Sequence, residues 1–411
     1  MRTIVFSSFF IAVLAVPFIY VPFKAGVGLL LLVIQYASPS MKQDNSRFDF
    51  RLLILCLLGL MYVIIPELLG LRFYSSFLNV FSLHVVFVAF WWFVLRKITN
   101  DEVSYIAVLA CFVTWVVWLY ALGLLAQGLG YIPEVIPDLY DNINVDINSI
   151  GLSSNTVSAL LFLSPVLTYS YLRKRSLWHY ASLVLFWAGI VALGRRSAFV
   201  GLAVPITLLM WEGVLDSRHS GRTFRLVAVF VMVLCIAIAL DIFGIRGLIL
   251  ERWTRVDEGA SERLNQARAL WYGFTESPYF GKGLGAIAHA IRSEDKPWRY
   301  ELSYVAALFR YGLFGCGLLL VIYGGAIASC LIRIRNLSIP ERALLAGAIS
   351  QVIAYAVNPV FDTFDTAWQL LLPVLFAARS LRRPHYLESY HYVPVKHQSY
   401  GSYAVLAKRR Q

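Results

Sequence analysis

The sequence predicts an all-α protein that crosses a membrane many times. Three observations carry this expectation: few charges, long unbroken apolar runs, and basic clusters that recur between every second pair of runs. Of 411 residues, 59% are hydrophobic and 15% are charged, and the mean hydropathy is +0.67. A soluble domain carries roughly a quarter charged residues. Within hydrocarbon every backbone N–H and C=O must be satisfied by the protein itself, which leaves helices or closed barrels. Barrels show short alternating strands. The runs here are continuous and rich in Leu, Val, Ala and Phe, so helices are expected.

A helix needs about 20 apolar residues to cross a core of roughly 30 Å. On that measure spans are expected near residues 4–20, 25–38, 52–71, 75–95, 103–126, 155–172, 177–194, 197–214, 226–244, 312–332, 341–358 and 365–381, about twelve in all. Lys and Arg in short loops orient such helices, basic side inward. Lys42, Arg47 and Arg51 follow the second run, Arg96 and Lys97 the fourth, and Arg173, Lys174 and Arg175 the sixth. Arg218, Arg222 and Arg225 follow the eighth, and Arg333, Arg335 and Arg342 the tenth. The alternate loops hold few basic residues: 127–153 has no Lys or Arg and contains Glu134, Asp138, Asp141 and Asp146, and 359–364 has none and contains Asp362. Both termini are therefore expected in the cytoplasm. The chain reads as one transmembrane unit over residues 1–381, with long outer loops at 127–153 and about 245–302. A tail over 382–411 is basic and aromatic, with Tyr386, Tyr390, Tyr392, Tyr400 and Tyr403 among His and Lys. It lacks helical periodicity and is expected to hug the membrane surface.

Several function classes drop out. A net charge of +12 would point a soluble protein towards nucleic acid, but these cations sit between apolar runs, where they orient helices and meet anionic headgroups. Cys56, Cys111, Cys235, Cys316 and Cys330 lie singly within apolar runs, without metal or disulfide spacing, and read as small buried hydrophobes. No metal cluster and no cofactor motif is visible. The first run lacks a small-residue cleavage pattern and is read as a helix that stays.

A few residues break the membrane rules and become candidates for function. The outward turn Gly194-Arg195-Arg196-Ser197 places two arginines where the orientation rule disfavours them. Arginine's planar donor fork holds phosphate oxygens bidentately, so the turn suggests a phosphate site at the outer surface. The alternative is an ordinary inward pair with one span miscounted, but that would disorder the sides of Arg173 to Arg175 and of Arg218 to Arg225.

The loop over 245–302 mixes cations such as Arg263, Arg268 and Lys282 with Glu262, Glu276 and Asp295. Most of these read as a solvated face. Ser261 to Phe274 has helix-forming character, and Arg263, Ala267 and Trp271 recur at fourfold spacing, as on one face of an outer amphipathic helix. The turn Gly281-Lys282-Gly283-Leu284-Gly285 lets backbone approach a ligand closely, yet it lacks the strand, lysine and hydroxyl of a nucleotide loop. Glu301 precedes the apolar run Leu302 to Phe309, where a carboxylate is costly and suggests a base. A helix-start acid favoured by the dipole is the plain reading.

Three segments together resemble the O-antigen polymerase (Wzy) and O-antigen ligase (WaaL) superfamily of bacterial surface polysaccharide enzymes. Gly194-Arg195-Arg196-Ser197-Ala198-Phe199 is similar to the arginine turn that opens a helix in that family. Ser261-Glu262-Arg263 through Trp271 to Ser277-Pro278-Tyr279-Phe280-Gly281-Lys282-Gly283-Leu284-Gly285 resembles its stretch of arginine, aromatic and Pro-x-x-Gly-x-Gly. Glu301-Leu302-Ser303-Tyr304, then Tyr311-Gly312-Leu313-Phe314-Gly315, is similar to its polar residue, Tyr and Gly-Leu-x-Gly sequence. The likeness covers roughly residues 150–330 in motif order.

The resemblance implies a membrane-embedded, GT-C-like glycosyltransferase in the bacterial inner membrane. It would join undecaprenyl-diphosphate-linked repeat units on the periplasmic side, without a metal. Arg195 or Arg196 with Arg263 would hold the donor diphosphate, and Glu301 would serve as base. Tyr304 and Trp271 would line the sugar or lipid groove, with Lys282 and His289 as further substrate contacts. Ligases of this family carry a histidine where Glu301 stands, which favours the polymerase over a ligase acting on lipid A-core or a related exopolysaccharide polymerase. The implied partners are a chain-length regulator and a flippase of the same pathway, and no nucleic acid. From a different class, a lipid-linked oligosaccharide flippase or other transporter would place charges along an interior path.

Overall fold

A computed structural model of the chain describes residues 2–15, 21–37, 81, 85–128, 131–133, 145–146, 149–150, 154–174, 176–192, 198–215, 258–291, 297, 300, 302–355 and 364–382. The helices are α1 (Arg2–Ala15), α2 (Val21–Ala37), α3 (Phe87–Leu95), α4 (Asn100–Gly128), α5 (Ser154–Arg173), α6 (Leu177–Ala192) and α7 (Ala198–Leu215). They continue with α8 (Glu258–Glu276), α9 (Ser303–Leu319), α10 (Gly325–Ile332), α11 (Ile339–Ala354) and α12 (Phe364–Arg382). A single π-helical turn, Leu320–Gly324, makes α9 and α10 continuous. A two-residue antiparallel bridge pairs Val145 with Ile150 and Asp146 with Ser149. The fold is all-α in substance, as expected.

Among the described residues two helices are long and apolar enough to cross a membrane, Asn100–Leu124 and Ser303–Ile332; Ile4–Leu14, Pro22–Gln35, Leu177–Ala188 and Thr366–Leu381 are shorter apolar helices. Expected spans that fall on described residues coincide with helices. Those at 52–71 and 226–244, residues 75–80 and 82–84 of the one at 75–95, and the tail beyond Arg382 lie outside the described residues.

Helix starts follow from local chemistry. Thr99 caps α4 in a capping box: its Oγ1 accepts the Glu102 N–H at 3.2 Å and its own N–H donates to the Glu102 carboxylate at 2.8 Å. Ser338 and Glu341 repeat the arrangement at α11, with Pro340 in its first turn.

The bundle packs around α5, against which α4, α7 and α11 lie. Small residues set the spacing. A Cβ on Gly347 of α11 would come 2.7 Å from the Phe162 carbonyl of α5, so only glycine allows this approach. Beside this contact an aromatic stack of Phe9, Phe10, Trp91, Phe162 and Trp368 ties α1, α3, α5 and α12. Two indoles are satisfied by hydroxyls of neighbouring helices. Trp187 Nε1 donates to Thr168 at 3.1 Å and Trp115 Nε1 to the Tyr171 hydroxyl at 2.9 Å.

One end of the bundle is basic and charge-locked. Glu212 of α7 accepts from Arg342 of α11 at 3.0 Å, pairs with Arg173 of α5 at 3.5 Å, and receives the Tyr169 hydroxyl. Arg342 also donates to the Leu337 and Arg335 carbonyls, closing the turn before α11. Arg379 of α12 reaches Glu341 at 3.7 Å and donates to the Ile98 carbonyl between α3 and α4. Trp211 Nε1 donates to the Leu331 carbonyl at 3.1 Å. These contacts gather the loops that carry Arg96, Arg173, Lys174, Arg333, Arg335 and Arg342 at a single end. That gathering is what alternating basic clusters require of a bundle.

Candidate functional site

The site is built where α8, its following loop and a broken α9 meet. Helix α9 is interrupted at Gly312, whose φ of 62° and ψ of −171° lie where L side chains are excluded. The break frees helical N–H and C=O groups, and the glycine loop supplies their partners. Leu313 N donates to the Pro278 carbonyl at 2.8 Å and Phe314 N to the Tyr279 carbonyl at 3.1 Å. In return Lys282 N donates to the Phe309 carbonyl at 2.8 Å and Gly283 N to the Arg310 carbonyl at 3.1 Å. Four backbone bonds therefore stitch an irregular loop to an irregular helix, supplying partners for groups the break would otherwise leave unpaired.

Two glycines make the stitch possible. A Cβ on Gly281 would lie 2.3 Å from the Arg310 carbonyl oxygen, and one on Gly312 would lie 2.4 Å from the Tyr279 carbonyl oxygen. Gly281 also has a φ of 73°. Ser277 closes the loop from inside, its hydroxyl donating to the Gly281 carbonyl at 2.8 Å. Two segments that sequence motifs singled out separately, Ser277 to Gly285 and Tyr304 to Gly315, are thus one structural unit.

Helix α8 packs on α9. Its covered face is Gln266, Leu270, Gly273 and Phe274. Gly273 admits the Phe309 ring, which a Cβ would meet at 2.4 Å. Leu270, Ala286, Ala288, Tyr300, Ala306 and Phe309 form a small core of their own, separate from that of the bundle. The expected amphipathic helix is present and longer than Ser261 to Phe274, with Arg263 and Trp271 on its exposed face.

Arg310 is buried, with its guanidinium 5.5 Å from the Tyr300 ring centroid, a cation–π contact. The Tyr300 hydroxyl accepts the Ala288 N–H at 2.7 Å. Burial pushes the Tyr300 phenol up, opposed by the Ala288 N–H and by Arg310. Lys282 turns back to Glu276, Nζ to Oε2 at 2.5 Å. That hydrogen bond, with the lysine charge, holds the Glu276 carboxyl below the usual carboxylate range, and Tyr272 and His289 add to it. Glu276 and Lys282 therefore form a polar pair, with His289 within electrostatic reach of it.

Tyr304 faces another way. Its hydroxyl donates to the Val352 carbonyl in the last turn of α11, and its ring meets Tyr355 edge-on at 5.5 Å. This contact docks the start of α9 on the end of the bundle opposite the basic one. Trp271 is exposed and packs on Phe274 at 5.2 Å. Of the expected site residues, Lys282 and His289 lie in the loop after α8, Arg263, Trp271 and Tyr304 lie on α8 and α9, and Arg195, Arg196 and Glu301 fall outside the described residues.

Sequence reading passed over Arg310. It is the only charged residue between Leu302 and Ile332, and a charge within an apolar run is a signal in its own right. It also passed over the buried polar residues Ser350, Gln351, Thr366 and Gln369, which face inward near the junction of α11 and α12. Among the described residues no three His, Cys, Asp or Glu side chains converge as metal ligands do. No family model matches the chain, and no curated protein matches it.

Proposed function

We propose that the chain is a membrane-embedded, GT-C-like glycosyltransferase of about twelve spans that polymerises lipid-diphosphate-linked oligosaccharide repeat units. In this reading it lies in the bacterial inner membrane with both termini and the basic end in the cytoplasm. The opposite, outer end carries the chemistry. One observation supports this most directly: two of the three motif segments behind the polysaccharide-polymerase resemblance are joined by four backbone hydrogen bonds at that end.

The chemistry needs cations near a leaving diphosphate and a base near a sugar hydroxyl. The acceptor hydroxyl oxygen forms a bond to the anomeric carbon while the bond from that carbon to the diphosphate oxygen breaks. The diphosphate leaves with the bonding pair and the base takes the hydroxyl proton. Arg195 or Arg196 with Arg263 would hold the diphosphate, Glu301 would take the proton, and Lys282, His289, Tyr304 and Trp271 would contact the substrate. A chain-length regulator and a flippase of the same pathway are the expected partners.

A transporter of lipid-linked glycan is the reading from another class, and the buried Ser350, Gln351, Thr366 and Gln369 are the observation in its favour. These groups are uncharged, whereas the described charges gather towards the two ends of the bundle, which favours surface chemistry over an ionic interior path. Glycan banding on gels separates the readings. A deletion strain is complemented with wild type, Arg196→Ala, Arg263→Ala or Glu301→Gln, with membrane expression checked for each. A single-repeat band in the deletion, restored to a ladder only by wild type, is expected. Complete loss of attached glycan would point to a ligase or flippase, and an unchanged ladder would remove the proposal.

A further inference from the structure

Placement of the glycine loop relative to the bilayer follows from helix length and exposure. About twenty residues, Leu313 to Ile332, separate the break at Gly312 from Arg333 at the basic end, and all of them are apolar or small. At 1.5 Å per residue they cover about 30 Å, the hydrocarbon thickness of a bilayer. The whole of Ser303–Ile332 would cover about 45 Å if straight. It is not straight: the Tyr304 hydroxyl reaches Val352, only about 20 Å along α11 from its start at Ile339. The first half of α9, and α8 packed on it, must therefore fold over the bundle end at Gly312.

At that level Tyr279, Phe280 and Phe314 are all exposed, and Tyr279 and Phe280 each meet Phe314, with ring centroids at 6.0 Å and 5.5 Å. Above them Lys282 snorkels back to Glu276, as a lysine does at a membrane boundary. Along α8 the exposed residues run from Glu262, Arg263, Leu264 and Arg268 to the aromatic pair Trp271 and Tyr272, with Glu276 exposed at the end where it meets Lys282. Apolar aromatics with a polar edge are what a headgroup layer selects.

We propose that the Tyr279, Phe280 and Phe314 cluster inserts into the lipid leaflet at the end opposite the basic one, so that α8, the glycine loop and the first half of α9 ride on that leaflet as an anchored ledge. The partner is the lipid surface itself. This assignment is independent of the catalytic reading. A photoreactive benzoyl-phenylalanine in place of Phe280 tests it, in the full chain reconstituted into vesicles of phosphatidylethanolamine and phosphatidylglycerol. Phospholipid adducts at position 280 should exceed those at position 262, on the charged stretch of α8, by about tenfold. Equal yields at the two positions, or capture of a second copy of the chain in place of lipid, would overturn it. Position 314 repeats the comparison if the chain altered at 280 does not reach the membrane. A nitroxide on a cysteine at 279 adds a depth reading: greater access to oxygen than to a water-soluble nickel chelate is expected, and the reverse order refutes the proposal.

Discussion

Substituting alanine for Gly312 isolates the seam between the glycine loop and α9. The new Cβ would stand 2.4 Å from the Tyr279 carbonyl oxygen and 2.5 Å from the Gly281 nitrogen, and both are backbone atoms that cannot rotate away. The φ of 62° with ψ of −171° adds about 1–3 kcal/mol of strain for any residue with a Cβ. Relief requires the loop to lift, which breaks the bonds from Lys282 N, Gly283 N, Leu313 N and Phe314 N. At about 1 kcal/mol each these four sum to about 4 kcal/mol.

Amide hydrogen exchange in reconstituted protein reads this locally. The four amides should lose protection by a factor on the order of 10² to 10³, since 1.4 kcal/mol corresponds to tenfold. Amides of α5 and α11, in the separate bundle core, should keep theirs. Gly317→Ala is the control, because nothing lies within 4 Å of its missing Cβ. Protection of the four amides in Gly312→Ala equal to that in Gly317→Ala would refute the account of the seam.

Two further outcomes follow from the charge pairs. Glu212→Gln leaves Arg173 and Arg342 without their shared carboxylate at the basic end. It should cost about 3 kcal/mol, seen as a lower thermal midpoint in detergent, and a change below about 1 kcal/mol would mean that solvent screens the pairs. Glu276 has a folded-state pKa below its unfolded value, so its pairing with Lys282 favours the folded loop above the unfolded pKa and is lost as pH falls through the folded one. Exchange protection at Lys282 and Gly283 should therefore decline in that acidic window in wild type and stay flat in Glu276→Gln.

Much of the architecture was legible in the sequence because membrane burial writes a strong, local signal. Run length predicted the helices, and α4, α5 and α11 begin or end within a few residues of expectation. The alternating clusters predicted that Arg96, Arg173, Arg333 and Arg342 share one end, and the Glu212 and Glu341 contacts gather their loops there. Glycine spacing marked the turn from Gly281 to Gly285 as a place of close backbone approach, whereas Gly312 entered only through the motif resemblance.

Tertiary structure alone decided what those residues do to one another. The expected boundary near residue 312 is a break inside a continuous helix, because hydropathy registers apolar character and is blind to a φ of 62°. Packing buries Arg310 against Tyr300, and the Tyr304 hydroxyl meets α11, neither of which hydropathy registers. The reciprocal fit of Gly281 and Gly312 joins residues thirty-one positions apart. No periodicity in the chain encodes that distance, since it depends on how α8 and α9 pack rather than on the preferences of either segment.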